Sequence, residues 1–270
     1  MYISISIEKL KKLEKLKKLE KLKKIEIVRE MRVVVIGRGR VATNLLPALQ
    51  KAGHEVVSVN SRTLEELPTE ADVYIISVKD SALQEVARQA TKGRESQLFV
   101  HTAGSMAMNI FSGLATHFGV FYPMQTFSKE RLVDFKDISL FLEATDDVSM
   151  ERLKMLAETL TPHVYELDSA GRKHLHLAAV FACNFVNHCY ALSAEVLAAK
   201  GLPFSVMLPL VDETAQKVHE LAPREAQTGP AVRGDQNVMQ MQASMLEGKP
   251  EVKAIYEALS NDIQRIADND

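Results

Sequence analysis

The sequence is short of three things that would each point to a class of protein. Charge of one sign is the first. Lys and Arg number 33 against 35 Asp and Glu, a net of −2, so neither nucleic acid nor an anionic membrane is an implied partner. The balance is uneven: residues 1–30 hold ten Lys/Arg against five Glu, leaving −7 for residues 31–270. A nucleic-acid binder would carry the opposite sign there. Cysteine is the second shortage. Cys183 and Cys189 form no CxxC and no zinc spacing, and no metal site is expected. Six residues apart on one helix they point about 240° apart and cannot pair. Both read as reduced core thiols of a cytoplasmic protein. Third, no apolar run approaches the roughly 18–20 residues of a membrane span. The N-terminus lacks a signal peptide's apolar core, and its glutamates argue against an organelle transit peptide. What remains is a 270-residue globular chain, 46% hydrophobic and 25% charged, of a length that suits two domains.

The first 30 residues stand apart as a low-complexity extension of Lys, Leu and Glu. Leu10, Leu13, Leu16, Leu19, Leu22 and Ile25 recur every third residue, whereas a coiled-coil seam needs an average of about 3.5. At about 100° per residue the six visit every side of a helix, so no apolar stripe forms. The segment reads as a solvated helix, or as sequence upstream of a natural start at Met31. A partner-binding or assembly helix is the alternative.

From Met31 the pattern changes. The β-branched run "MRVVVIG" leads without a break into "GRGRVATNLLPAL". Gly37, Gly39 and Ala42 make GxGxxA, the dinucleotide fingerprint ending in alanine. Gly37 permits the tight strand-to-helix turn, Gly39 lets backbone approach a pyrophosphate, and Ala42 keeps helix and sheet close. Arg38, Arg40 and Val41 complete the turn, and the helix start offers free N–H groups to phosphate. GxGxxA alone is a weak signal. Here a strand precedes it, a helix follows, and "HEVVSVN" supplies a second strand. Pro47 removes one hydrogen bond within that helix, and a bend is expected there.

The end of the second strand separates the two nicotinamide cofactors. An NAD site wants Asp or Glu about 20 residues on, to accept from the ribose 2′-hydroxyl. This chain offers Asn60, Ser61, Arg62 and Thr63. A guanidinium and two hydroxyls in place of a carboxylate favour NADP(H); an ordinary polar loop with one arginine is the other reading.

Further strands follow at α/β spacing in "ADVYIISV", "QLFVHT", "GVFY", "ISLFLEA" and "HVYELD", with helices at "SALQEVARQA" and "MERLKMLAETL". This predicts a doubly wound Rossmann sheet. Ligands in such sheets lie beyond the carboxyl ends of the strands. That places "SVKDSA" (Ser77 to Ala82), "HTAGSM" (His101 to Met106) and "YPMQTF" (Tyr122 to Phe127) around the nicotinamide half of the cofactor, with Ser77, Val78, Lys79, Thr102, Ala103 and Gly104 on the cofactor itself. Ser105, Gln125 and Thr126 are placed on substrate. Each could equally be a turn residue chosen for geometry.

After Asp168 strand signals stop, and helices are expected near 169–200, 204–222, 235–247 and 251–267. The organisation is thus an extension over 1–30, an NADP-binding domain over 31–168 and an all-helical domain over 169–270, with substrate in a cleft between the last two. The segment "HLHLAAVFACNFVNHCY" reads as a buried helix with polar residues set into it. With His176 at zero and about 100° per residue, Asn187 falls at about 20°, Lys173 at about 60° and Asn184 at about 80°. Four polar groups on one stripe need a reason, because a buried polar group without a partner costs about 1–3 kcal/mol. Lining an elongated pocket is one. In "TGPAVRGD", Arg233 either clamps a substrate anion with Asp235 ordering it, or the segment is a turn with Asp235 as N-cap.

With these residues in view, the chain resembles a family of NADP oxidoreductases that join a Rossmann-like domain to a C-terminal domain of unknown function. The likeness runs from about residue 32 to 265 and is carried by "GRGRVATNL", "HTAGS", "GVFYPMQTFSK", "HLAAVFACNFVNH", "LPLVDET" and "TGPAVRGD". More distantly it is similar to pyrroline-5-carboxylate reductase and to the 6-phosphogluconate dehydrogenase-like β-hydroxyacid dehydrogenases. That resemblance implies a homodimer whose helical domains pack across the interface. It departs in one respect. β-Hydroxyacid dehydrogenases carry a catalytic Lys with Asn four residues on, whereas Lys173 is followed at that spacing by Leu177, and no matching lysine precedes Asn184.

The function expected is therefore an NADP(H)-dependent oxidoreductase acting on a C=O or C=N carbon of a small anionic substrate. His176 donates the proton, since histidine titrates nearest neutral pH. Asn184 and Asn187 orient substrate, and Lys173 or Arg233 holds its charge. A non-catalytic NADP(H)-binding sensor explains the glycine turn and "NSRT" equally well, but does not require the polar stripe.

Overall fold

The computed structural model describes residues 30–269, without the side chain of Glu65. The repetitive extension lies outside the described residues. Two compact units divide the chain, one ending at Cys183 and the other beginning at Asn184. That boundary falls inside a helix, later than Asp168, where strand signals end.

The first unit is built on a seven-stranded sheet in the order β2-β1-β3-β4-β5-β6-β7. The strands are β1 (Arg32–Ile36), β2 (Glu55–Val59), β3 (Val73–Ile76), β4 (Leu98–His101), β5 (His117–Met124), β6 (Ser139–Ala144) and β7 (Val164–Glu166). Neighbours are parallel except β5 and β6, which run antiparallel. Helices α1 (Arg40–Lys51), α2 (Asp80–Ala90) and α3 (Asp147–Glu158) complete this half. Strands β1, β3 and β4 are continuous buried apolar runs because helices cover both faces. One core packs Leu45 and Leu49 of α1 and Leu153 and Leu156 of α3 on one face of the sheet, and the other packs Leu83 and Val86 of α2 on the opposite face. Each such leucine contributes about 1.5–3 kcal/mol by burial. The fold is the doubly wound Rossmann type that the pattern of strands implies. Pro47 stands inside α1, which nevertheless runs on to Lys51.

Parallel register brings the strand ends level. Ile36 pairs with Val59 and Ile76, and Ile76 pairs with His101. The residues just beyond continue the pattern: Gly37 N–H donates to Val59 C=O at 2.9 Å, Ser77 N–H to Ile36 C=O at 2.8 Å, and Thr102 N–H to Ile76 C=O at 3.2 Å. The order reverses at β1, between β2 and β3, the switch point at which open α/β sheets bind ligands.

A long helix follows from Ser169 to Ala198, made of α4 (Ser169–Ala179), a π-helical stretch over Val180–Phe185 and α5 (Val186–Ala198). Asp168 caps its start, its carboxylate accepting from Gly171 N–H at 2.7 Å. The second unit continues through α6 (Leu208–Glu220), α7 (Gln236–Ser244) and α8 (Pro250–Ala267), near the predicted helices. Three expectations about the long helix need correction. It is not a buried core helix: Leu177 is 56% and Phe181 61% exposed. Cys183 is half-buried and Cys189 exposed, so they are not core thiols. By length and composition the helix could cross a membrane, with a mean hydropathy of 1.3 over its best 18 residues. Its apolar residues are scattered among His and Asn, which hid that average in the sequence.

The π stretch also matters for the polar stripe. Its i→i+5 bonds widen the turn, so each residue rotates less than in an α-helix. The uniform step of about 100° that aligned Asn184 and Asn187 with His176 does not apply through Val180–Phe185.

Candidate functional site

The glycine turn is shaped for a dinucleotide. Gly37 has φ +130°, and a Cβ there would fall 2.1 Å from the carbonyl oxygen of Ser77. Only glycine fits, on conformation and on space. At Gly39 a Cβ would meet nothing nearer than 3.9 Å, so this backbone lies open to a ligand. Helix α1 begins there without any side-chain cap or acidic residue in its first turn. Its first backward bond runs from Thr43 N–H to Gly39 C=O, at 2.9 Å. The N–H groups of Arg40, Val41 and Ala42 thus lie outside the helix's own pattern and can take an anion. Arg38 and Arg40 are exposed beside them, while Ala42 is buried against the sheet.

At the end of β2 the chain turns tightly. Asn60 C=O accepts from Thr63 N–H, and its side chain accepts from Arg62 N–H, both at 3.1 Å. Arg62 and Thr63 are exposed and Ser61 half-buried. No carboxylate stands in Asn60–Thr63, so the loop offers a 2′-phosphate the Arg62 guanidinium and two hydroxyls and no negative charge.

At the ends of β3 and β4, Thr102 Oγ1 donates to Ser77 Oγ at 3.2 Å, both residues buried. Val78 is half-buried, and Lys79 is exposed at the start of α2. Ser105 donates to the Asp80 carboxylate. Gln125 and Thr126 are exposed beyond β5, Thr126 N–H donating to Gln125 Oε1 at 2.8 Å.

His101 and Tyr122 open two of the strand-end stretches expected around the nicotinamide, where the sequence marks no role for either; Arg172 carries no mark at all. His101 is fully buried at the end of β4. Its Nδ1 accepts from Ala103 N–H at 3.1 Å and its Nε2 lies 3.4 Å from Ala107 C=O. Burial, aided by the nearby Arg172 charge, pushes its pKa down to about 4 against the pull of the Ala107 carbonyl and Asp80. The ring is therefore neutral and braces the Ala103–Ala107 loop. Arg172, fully buried on α4, is ion-paired with Glu143 of β6. Its Nη2 donates to Met106 C=O at 2.6 Å and to Ser169 Oγ at 3.1 Å. Ser169 Oγ in turn accepts from Met108 N–H at 3.2 Å.

These contacts bring α4 onto the loop after β4. His176 Nδ1 lies 3.2 Å from the Tyr122 hydroxyl, and a Cβ on Gly104 would fall 2.7 Å from the same nitrogen. The imidazole thus lies on Gly104 beside Tyr122, at the strand-end edge that carries Gly37, Ser77 and Thr102. Tyr122 is 9% exposed; burial raises its pKa, with Arg172 working against it. Lys173 is exposed on the same helix, and His174, also exposed, bonds back to Ala170 C=O at 2.9 Å. Asn184, Asn187 and Arg233 belong to the second unit, where all three are exposed. There Arg233 pairs with Asp235 at 3.2 Å, and Asp235 precedes α7 without a side-chain cap bond. Among the described residues no cluster of His, Cys, Asp and Glu could hold a metal.

A Rossmann sheet with an open glycine turn, and a loop after β2 that carries an arginine and no carboxylate over Asn60–Thr63, defines an NADP-binding oxidoreductase. Residues 32–105 match the family described as coenzyme F420-dependent NADP oxidoreductase, and residues 138–263 match a domain of unknown function, DUF2520. A Bacteroides fragilis protein assigned as an NADP oxidoreductase is 48% identical, with 87% of this chain and 98% of that one covered and a TM-score of 0.84. The chain belongs to this family of NADP oxidoreductases, is an enzyme of that class and takes NADP(H). More remote structures share the fold. Plasmodium falciparum pyrroline carboxylate reductase with NADP bound has a TM-score of 0.58 at 12% identity, over 88% of this chain and 98% of that one. A Streptomyces aurantiacus imine reductase has 0.61 at 17%, over 88% and 95%. Comparison with curated proteins gives no match.

Proposed function

We propose that this oxidoreductase acts on a C=O or C=N carbon of a small anionic substrate, with His176 as its proton donor. The observation that carries the reading is the His176 imidazole resting on Gly104 beside Tyr122. NADPH, when bound, supplies the hydride. The chain's own residues do the rest. Tyr122 occupies Nδ1 of His176, which leaves Nε2 to pass a proton to the substrate oxygen or nitrogen. Lys173 holds the substrate's negative charge, and Ser105, Gln125 and Thr126 line its approach. Arg38, Arg40 and Arg62 face the cofactor phosphates, with Ser61 and Thr63 beside the 2′-phosphate.

The test is NADPH oxidation against keto acids, cyclic imines and a deazaflavin, with wild type and His176→Gln. A keto acid or imine is expected to be reduced, and His176→Gln to lose about 100-fold or more in kcat. Unchanged turnover in that variant overturns the role of His176. Tight NADPH binding with no turnover on any of them favours the sensor instead.

We also propose a homodimer in the cytoplasm, and the dimer is supported by the exposure of the second unit. Of its described residues only Ala231, Met239 and Ser260 are buried, while Leu208, Leu210, Val218 and Met245 are 47–69% exposed. A helical unit this open lacks a core of its own, and a second copy covering its apolar faces supplies one. The first turn of the long helix is committed to the Rossmann sheet through Ser169, Arg172 and Glu143, which favours a protein partner over lipid. Sedimentation equilibrium is expected to give twice 30.1 kDa; a monodisperse monomer refutes the dimer.

A further inference from the structure

We propose that Tyr122 is the positioning residue of His176, its hydroxyl holding the imidazole with Nε2 outward while Gly104 provides the space in which the two rings meet. This rests on the reading of His176 as proton donor and names the group through which that donor is aimed.

Three observations carry it. The hydroxyl lies 3.2 Å from Nδ1, and the rings meet edge to face with centroids 6.2 Å apart at 74°. Among the described residues Nε2 has no hydrogen-bond partner. A Cβ at Gly104 would fall 2.7 Å from Nδ1 and 2.9 Å from Cγ of His176, and 3.0 Å from Cζ of Tyr122. Gly104 has no positive φ, so space rather than backbone conformation demands glycine there. Neither ring can simply swing aside. Tyr122 packs against Phe141 on its other side, and α4 is pinned by Arg172 one turn before His176.

A hydroxyl suits this task better than a carboxylate or an amide carbonyl. It both donates and accepts, so it can follow the imidazole through its protonation states. In the imidazolium, Nδ1–H donates to the Tyr122 oxygen. The Nε2–H bond then breaks as an O–H or N–H bond forms on the substrate, whose carbon takes hydride from NADPH. The ring is left neutral with its proton on Nδ1, still donating to Tyr122, and Nε2 regains a proton from solvent. Where the neutral ring instead keeps its proton on Nε2, the hydroxyl turns and donates to Nδ1. Burial raises the Tyr122 pKa, which keeps the group a neutral hydroxyl throughout.

The test is a double-mutant cycle of Tyr122→Phe and His176→Gln, read by kcat on whichever substrate the panel identifies. Ring-nitrogen NMR of ¹⁵N-histidine protein is read alongside. Tyr122→Phe keeps the packing and removes only the hydroxyl. It is expected to lower kcat about 10- to 100-fold with NADPH affinity unchanged, and to add nothing in the His176→Gln background. The Nδ1 resonance of His176 is expected to move while that of His101 stays, an outcome that needs no substrate. Equal loss of kcat in both backgrounds, or an unmoved Nδ1 resonance, overturns the proposal. Loss in His176→Gln but none in Tyr122→Phe overturns it and leaves the proposed function standing. Full activity in His176→Gln removes both.

Discussion

Replacing Glu143 by Leu tests the contact that fastens α4 to the sheet. Arg172 is 0% exposed and its partner's side chain 12%, so the change strands a guanidinium charge away from water. Removing one partner of a buried pair costs about 3–5 kcal/mol. Ser169, whose N–H and hydroxyl both donate to Glu143 at 2.8–3.0 Å, loses its acceptor too, so the upper half of that range is expected. Arg172→Met should cost less, because Glu143 keeps the two Ser169 donors. The combination is the sharper measurement. Arg172 Nε has no hydrogen-bond partner, and an incompletely satisfied buried pair can be replaced by apolar side chains at little loss. The double variant Glu143→Leu/Arg172→Met should therefore be more stable than Glu143→Leu alone. Urea denaturation followed by far-ultraviolet circular dichroism reads this, with m unchanged so that midpoint shifts report stability. A cost below about 1 kcal/mol for Glu143→Leu, or a double variant less stable than it, would refute the argument.

Gly37→Ala is expected to abolish measurable NADPH binding by calorimetry. The new Cβ meets the Ser77 carbonyl at 2.1 Å with φ at +130°, so the turn must open; wild-type affinity would show that the turn does not hold the cofactor. His101 makes a pH prediction. Its folded pKa of about 4 lies below the ordinary imidazole value of 6.5, so the unfolded chain binds the extra proton first as pH falls. Its contribution is intact above about pH 6.5, is lost progressively down to about pH 4, and amounts to about 3 kcal/mol. His101→Gln should flatten the stability profile in that window, and an unchanged slope there would contradict a buried neutral ring.

The Rossmann half was legible because its signals are local. A β-branched strand, a glycine turn and a helix start occupy consecutive residues, and each constrains the next. The missing carboxylate at Asn60–Thr63 could be read at a fixed distance from the turn for the same reason. Tyr122, His101 and Arg172 left no such mark. They sit inside strands and a helix where Tyr, His and Arg have ordinary packing roles, and only the pairing of β4 with β5, which sets Tyr122 two residues beyond the partner of His101, and the contacts of α4 with that edge bring them together. The one available hint was Gly104 in "HTAGS", a glycine with no turn to explain it. The polar stripe is a different case. Its angles rest on one helical step throughout, and the change of step at Val180–Phe185 cannot be seen in the periodicity of a mixed apolar run.

The loop after β4 draws these threads into one mechanical piece. His101 braces it at Ala103 and Ala107, Arg172 holds Met106 C=O, Ser169 holds Met108 N–H, and Gly104 carries the His176 ring. Five attachments within six residues, two to His101 of β4 and three to α4, leave the loop little freedom to move without α4. Thr102 and Ala103, the residues proposed to face the cofactor, are thereby fixed relative to the proposed proton donor, which is the geometry that transfer of hydride and proton to adjacent atoms demands. Loosening any attachment should then disturb turnover before it disturbs NADPH affinity, since the glycine turn at Gly37, the proposed phosphate site, follows a different strand.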